Sequence, residues 1–191
     1  MASLIFSHGN GFPASTYRSL TNDLIRRGFK VRSIEKLGHQ EQFPVTSNWP
    51  HLVLELAEFA KQSIQETGET PYMVGHSLGG LLSLMCASRH PKLCAGVVLL
   101  DSPVVGGWKA SALQLAKKTN WIESVGPGRI SQTRRQHWPD VDAVVAHFQH
   151  KRAFSHWHPD ALRDYAEHGT IDEDGQRVLS FDRRIETAIY N

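Results

Sequence analysis

The feature that most constrains this chain is the regular alternation of short apolar runs with helical patterns over residues 3–101. Four runs have the composition of strands: 3–7, 30–34, 71–74 and 95–100. Three segments between them place apolar residues at helical spacing: 16–27, 49–65 and 81–89. Because apolar strands separated by helices need cover on both sheet faces, the sequence predicts an α/β fold with a parallel sheet flanked by helices.

Composition excludes several classes of protein. The chain has 191 residues, of which 40% are hydrophobic and 21% charged, which is enough apolar material for one folded core. The near balance of 21 basic and 19 acidic residues predicts no nucleic-acid partner. No apolar run approaches the ~20 residues of a membrane helix, so no membrane span is expected. Two cysteines outside any CxxC pattern and an N-terminus unlike a signal peptide predict a reduced, cytoplasmic protein.

The pattern changes after residue 103. Residues 104–168 contain four of the five tryptophans and six of the eleven histidines. Helices are expected to begin at Pro139 and Pro159, because proline suits the first position of a helix. The acidic run ending in Gly175 predicts a hairpin turn.

The segment Gly75-His76-Ser77-Leu78-Gly79 fits the pattern G-x-S-x-G. It follows a predicted buried strand that ends at Val74 and precedes a predicted helix, and a nucleophilic serine requires that context. A sharp turn from strand to helix would lift the Ser77 hydroxyl above the sheet edge. The alternative is a glycine turn that contains an incidental serine.

A second glycine-containing turn, His8-Gly9-Asn10-Gly11, follows the first strand. An acyl-transfer enzyme needs two N–H donors aimed at a developing oxyanion. We expect the backbone N–H groups of Asn10 and Leu78 to fill this role, because ligands of open α/β sheets bind beyond the carboxyl ends of the strands. The alternative is an ordinary turn between strand and helix.

Together these motifs and the strand that ends at Asp101 resemble the α/β-hydrolase superfamily, specifically serine hydrolases with a helical cap. The resemblance implies the strand order second, first, third, fourth. It also implies Ser77 as nucleophile, Asn10 and Leu78 as oxyanion donors, and neither a metal nor an organic cofactor. It divides the chain into an α/β-hydrolase core (1–103), a helical cap (104–168) and a segment that returns towards the core (169–191).

The chain departs from the family after the cap. Members continue with two strands that bring the catalytic acid and histidine, whereas here no strand, acid and histidine follow in that order, and the last histidine is His168. We therefore expect the C-terminal strands of the fold to be absent from this chain. A second chain or a missing C-terminal segment would then complete the sheet beside strand 95–100, which would otherwise be a bare apolar edge.

Other polar residues have less specific interpretations. Asp101 is a candidate catalytic acid, although capping of the following turn is favoured. His8 and His76 are expected to be structural, and His156, Trp157 and His158 to form a cap surface or pocket rim. The cluster of Arg134, Arg135, His137 and Trp138 is interpreted as a solvated cap face rather than an anion site.

The leading functional hypothesis is hydrolysis of an ester or related small-molecule acyl compound through Ser77. Hydrolysis of a C–C bond or acyl transfer on the same fold is an alternative. A non-catalytic homologue that has lost its general base is another. A histidine close to Ser77 would discriminate between the catalytic and non-catalytic hypotheses.

Overall fold

A computed structural model describes residues 2–104 and 134–190. Its main sheet contains four parallel strands in the order β2-β1-β3-β4. The strands are β1 (Ser3–Ser7), β2 (Lys30–Ser33), β3 (Tyr72–His76) and β4 (Gly96–Leu100). The predicted parallel sheet and its strand order are therefore confirmed.

Helices cover both faces of this sheet. A 3-10 turn (Ala14–Tyr17) leads into α1 (Arg18–Arg26), and the other two helices of this part are α2 (Pro50–Thr67) and α3 (Leu78–Arg89). Ile5 and Met73 point to the face covered by α2 and α3, whose Leu52, Leu56 and Leu82 are fully buried there. Alternate residues point to the opposite face, where Leu4, Phe6 and Val74 pack against Tyr17 and Leu24.

β4 is one of the two edge strands of the sheet in the part of the chain that the structure describes, and β2 is the other. Val98 is 44% exposed and Leu99 38% exposed, on opposite faces of the strand. The strand predicted from the sequence to be an apolar edge therefore does occupy an edge position.

A second group of elements lies in the described range that begins at residue 134. It comprises β5 (His137–Trp138), α4 (Val141–Gln149), α5 (Pro159–His168), β6 (Thr170–Glu173) and β7 (Gln176–Leu179). The strands form a small antiparallel sheet in the order β5-β7-β6. Its own core contains Trp138, Val144, Phe148, Leu162 and Tyr165.

Two local predictions for this region are confirmed and one is wrong. α5 begins at Pro159 as predicted, and Asp174 and Gly175 have the positive φ angles of a tight turn between β6 and β7. α4, however, begins after Pro139. The Asp140 carboxylate accepts a hydrogen bond from the backbone N–H of Ala143 at 2.7 Å, so Asp140 is the N-cap and Pro139 precedes it.

The last helix, α6 (Arg183–Tyr190), packs back against the main core. Ile189 is buried there, and its carbonyl accepts a hydrogen bond from the Trp49 indole at 2.9 Å. The predicted division into core, cap and return segment remains a prediction, because residues 105–133, including Trp108 and Trp121, lie outside the described residues. Within the described ranges no helix is both long and apolar enough to cross a bilayer.

Candidate active site

Ser77 forms a sharp turn between β3 and α3. Its backbone has φ 51° and ψ −116°, a combination that costs a non-glycine residue on the order of 1–3 kcal/mol. The Ser77 N–H donates to the Leu100 carbonyl at 3.0 Å, which ties the turn to the end of β4. The side chain is partly exposed, and within the described residues its hydroxyl makes no hydrogen bond.

The glycines of this turn are required by close backbone contacts. A Cβ atom on Gly79 would lie 2.0 Å from the Ser7 carbonyl oxygen. A Cβ on Gly75 would lie 2.2 Å from the Gly79 carbonyl carbon. The turn at Ser77 therefore packs directly against the end of β1, where the other sequence motif begins.

The loop after β1, residues 8–13, is termed the β1 loop. Its Gly9 packs so closely on His76 that a Cβ there would lie 2.9 Å from the His76 Nδ1 atom. Asn10 is buried, and its backbone N–H has no acceptor among residues 2–104 and 134–190. Leu78 is the first residue of α3, so its N–H has no acceptor within the helix. Both candidate donors thus belong to turns that contact each other at one end of the sheet.

His8 has a structural role, as predicted. Its Nε2 atom accepts from the Leu37 N–H at 2.8 Å, so Nδ1 carries the proton and donates to the Gly9 carbonyl, also at 2.8 Å. Complete burial lowers the pKa of His8 to about 4, which keeps the ring neutral. His8 therefore fixes the start of the β1 loop.

Tyr17 links the two turns, and sequence reasoning missed this role. Its hydroxyl oxygen accepts from the Gly9 N–H at 3.0 Å and lies 2.7 Å from His76 Nδ1, to which its proton is donated. Burial lowers the pKa of His76, consistent with a neutral acceptor. The sequence did contain a signal for it. Tyr17 stands among apolar residues on one helix face, and a buried tyrosine hydroxyl usually forms a hydrogen bond.

Asp101 lies immediately after β4 with φ 45° and is exposed. Its negative charge counteracts the burial effect on the pKa of His76, so the two residues are near each other. Within the described residues its carboxylate forms no hydrogen bond to a histidine or to a following turn. The acid role of Asp101 therefore stays a prediction.

The eleven histidines of the chain all fall within the described residues. None of them hydrogen-bonds the Ser77 hydroxyl. His158 instead accepts from the Asp160 N–H and caps α5, while the His147 ring packs on Trp138. No group of three or more metal-ligating side chains is found in the described part of the chain.

Residues of the predicted cap pack on the β1 loop. The ring of Phe12 contacts Trp157, Phe154 and Tyr165 with centroid distances of 5.8, 6.4 and 5.2 Å. A mainly apolar cavity of about 310 Å³ lies between the β1 loop and residues 157–161, and its wall includes His76 but not Ser77 itself. Six of its lining residues are Phe12, Tyr17, Leu20, His76, Leu100 and Trp157. Trp157 is thus at a pocket, in agreement with the pocket-rim interpretation.

The interpretation of residues 134–138 as a solvated face is wrong for two of its members. Arg135 and His137 are exposed, but Trp138 is buried and Arg134 forms an ion pair with Glu186 of α6. The reason is a partner about fifty residues away in the chain, which no local pattern could reveal.

Comparison with known proteins places this geometry in a family. Residues 1–129 match the family model described as serine aminopeptidase, S33 (Hydrolase_4). The chain belongs to the S33 family of α/β-hydrolases. This S33 chain is 29% identical to rat (Rattus norvegicus) monoglyceride lipase over 139 residues, covering 68% of the chain and 46% of that protein. It is also 29% identical to lysophospholipase L2 of Escherichia coli K12 over 119 residues, covering 56% and 34%.

A solved structure has the same fold. The structure of E-2-(acetamidomethylene)succinate hydrolase superposes with a TM-score of 0.70 at 21% identity, covering 99% of this chain and 64% of that one. The S33 chain thus spans less than half of either curated relative named above and about two thirds of this structure. The relatives named above are hydrolases, and the chain has the α/β-hydrolase fold.

Proposed function

We propose that this protein is a serine hydrolase that acts on an ester or related acyl compound. Ser77 Oγ attacks the carbonyl carbon, the alcohol leaves, and water then releases the acyl group from the serine. The N–H groups of Asn10 and Leu78 stabilise the oxyanion. The observation that carries the proposal is the strained conformation of Ser77, held by glycine contacts against the β1 loop.

We propose that the cavity beside the β1 loop holds an apolar acyl group, since its wall includes His76, the sequence neighbour of Ser77. Its volume of about 310 Å³ is roughly twice that of an apolar cavity known to hold benzene. The aromatic side chains of Phe12 in the β1 loop and of Trp157, which precedes α5, form part of its wall. We propose that the cap selects substrates through this wall, and that the reaction needs neither a metal nor an organic cofactor. Both cysteines are free, which supports a cytoplasmic site of action.

Labelling with a fluorophosphonate tests the nucleophile. We expect the probe to phosphonylate Ser77 with loss of fluoride, slowly because no histidine hydrogen-bonds the hydroxyl, and we expect Ser77→Ala to take no label. Ser102→Ala is the matched control, because its hydroxyl lies at the same sheet edge and donates to the Leu100 carbonyl at 3.3 Å. Equal labelling of wild type and Ser77→Ala, or no labelling of either, would contradict a serine-hydrolase function.

We also propose that the free edge of β4 is covered in the functional protein, by a second chain or by a further segment of the same protein. An uncovered apolar edge strand is a template for unwanted pairing. Next to it, an apolar cavity of about 500 Å³ lies beside α1, with Leu24, Tyr72 and Val98 in its wall. A covering segment could also bring the general base to Ser77, since this edge adjoins the turn.

The 191-residue chain is therefore expected to self-associate or aggregate in sedimentation velocity runs. Val98→Glu should reduce association, because it places charge on the exposed edge. Ile171→Glu, which changes a 53% exposed side chain of the hairpin, should not. A stable monomer at high concentration, unaffected by Val98→Glu, would refute the proposed cover.

A further inference from the structure

A buried ion pair contacts the β1 loop at Gly11 and has no part in the proposed chemistry. The Glu186 Oε2 and Arg134 Nη2 atoms are 3.1 Å apart, and the two side chains are only 7% and 14% exposed. Desolvation of both charges is costly, so such pairs contribute little net stability compared with apolar residues. The pair therefore calls for an explanation other than stability.

Glu186 contacts the β1 loop in two ways. Its backbone carbonyl accepts a hydrogen bond from the Asn10 side-chain amide at 2.9 Å. Its carboxylate packs on Gly11, where an added Cβ would lie 2.6 Å from Oε1. Gly11 also has φ 79°, so the loop turns at the point of contact. These two contacts hold the residue whose N–H is the proposed donor and the residue that follows it.

Arg134 connects this contact to the cap. It precedes β5, and its guanidinium charge acts on the buried Tyr165 hydroxyl of α5 as well as on Glu186. The Tyr165 ring in turn packs on Phe12, the next residue of the β1 loop. The cap therefore holds the loop at Phe12 through aromatic contact and at Gly11 through the ion pair.

We propose that Glu186, held by Arg134, is a positioning residue that fixes the β1 loop so that the Asn10 N–H points at the oxyanion. This inference rests on the proposed function and deepens it, because it makes the donor depend on cap placement. Misplacement of a catalytic group by about 1 Å can cost 100-fold in rate. An ion pair that sets the loop position would therefore act on the chemical step rather than on substrate binding.

Fluorophosphonate inactivation kinetics of the 191-residue chain test the role. For Glu186→Gln and Arg134→Met we expect the maximal inactivation rate constant to fall about 10- to 100-fold. The inhibition constant should change less than threefold. Arg134→Lys, which keeps the charge, should restore most of the rate, and the double variant should be no slower than either single variant because the pair acts as a unit.

Matched controls remove exposed ion pairs. Glu69→Gln breaks the exposed pair with Lys30, and Arg163→Met breaks exposed pairs on the cap. The fluorophosphonate should inactivate both variants at the wild-type rate. Thermal unfolding of every variant separates loss of fold from loss of position. If Arg134→Met does not fold, Glu186→Gln carries the test, since it keeps the shape of the side chain.

The outcomes separate the two proposals. Ser77-dependent labelling that is unchanged in Glu186→Gln and Arg134→Met overturns the positioning role and leaves the serine hydrolase standing. Lowered thermal stability with an unchanged rate constant also overturns it, because the pair would then be structural only. Absence of Ser77-dependent labelling in the wild type overturns both.

Discussion

The purified 191-residue chain is expected to hydrolyse activated esters on the order of 10⁵- to 10⁶-fold more slowly than a serine hydrolase with a complete triad. The reason is that none of its eleven histidines hydrogen-bonds the Ser77 hydroxyl. Residual catalysis of about 10³- to 10⁴-fold over water should remain, supplied by the oxyanion donors and by binding. Initial rates with p-nitrophenyl esters, corrected for Ser77→Ala, measure it.

Added imidazole gives this prediction a direct check. A free base should accelerate Ser77-dependent hydrolysis when the protein lacks its own, and the Ser77→Ala variant removes the background reaction of imidazole with the ester. Efficient turnover without imidazole would contradict the prediction. The base would then be sought by alanine substitution of five of the six histidines in residues 104–168: His137, His147, His150, His156 and His158.

Gly79→Ala is expected to destabilise the fold by about 3 kcal/mol or more and to abolish labelling of Ser77. The new Cβ would lie 2.0 Å from the Ser7 carbonyl oxygen and 2.6 Å from that of His8. These are backbone atoms of β1 and the β1 loop, so relief requires α3 to move away from the sheet. Such a movement would separate Ser77 from the Asn10 donor.

Gly96→Ala is the matched control for this substitution. Its Cβ would meet only the Tyr72 ring at 3.0 Å, and that side chain is 43% exposed and free to shift. We expect a change within about 1 kcal/mol, because replacing a strand glycine also removes an entropic cost. Denaturant unfolding measures both variants. Equal midpoints for Gly79→Ala and wild type would show that the contact between the two turns is not as close as the structure indicates.

The first hundred residues could be interpreted from sequence because their signals are local. Each apolar run that becomes a strand is flanked by a helix with its own spacing, and the Ser77 turn follows its strand directly. The parallel order β2-β1-β3-β4 followed from the resemblance carried by these motifs. Beyond this part of the chain the N-cap at Asp140 was missed, because the preceding Pro139 also fits a helix start and only the Asp140 carboxylate accepts from a free backbone N–H.

The sequence by itself determined the α/β class and the turn at Ser77, because periodicity and glycine placement act between neighbours in the chain. The edge position of strand 95–100 followed from the resemblance to the family, whose members place two more strands beside it. Only the tertiary structure decided which distant side chains meet. Tyr17 finds Gly9 and His76, and Arg134 finds Glu186. A buried polar group loses its hydrogen bonds to water and must form them with other protein groups. Those partners are brought close by the fold and are often distant in the sequence.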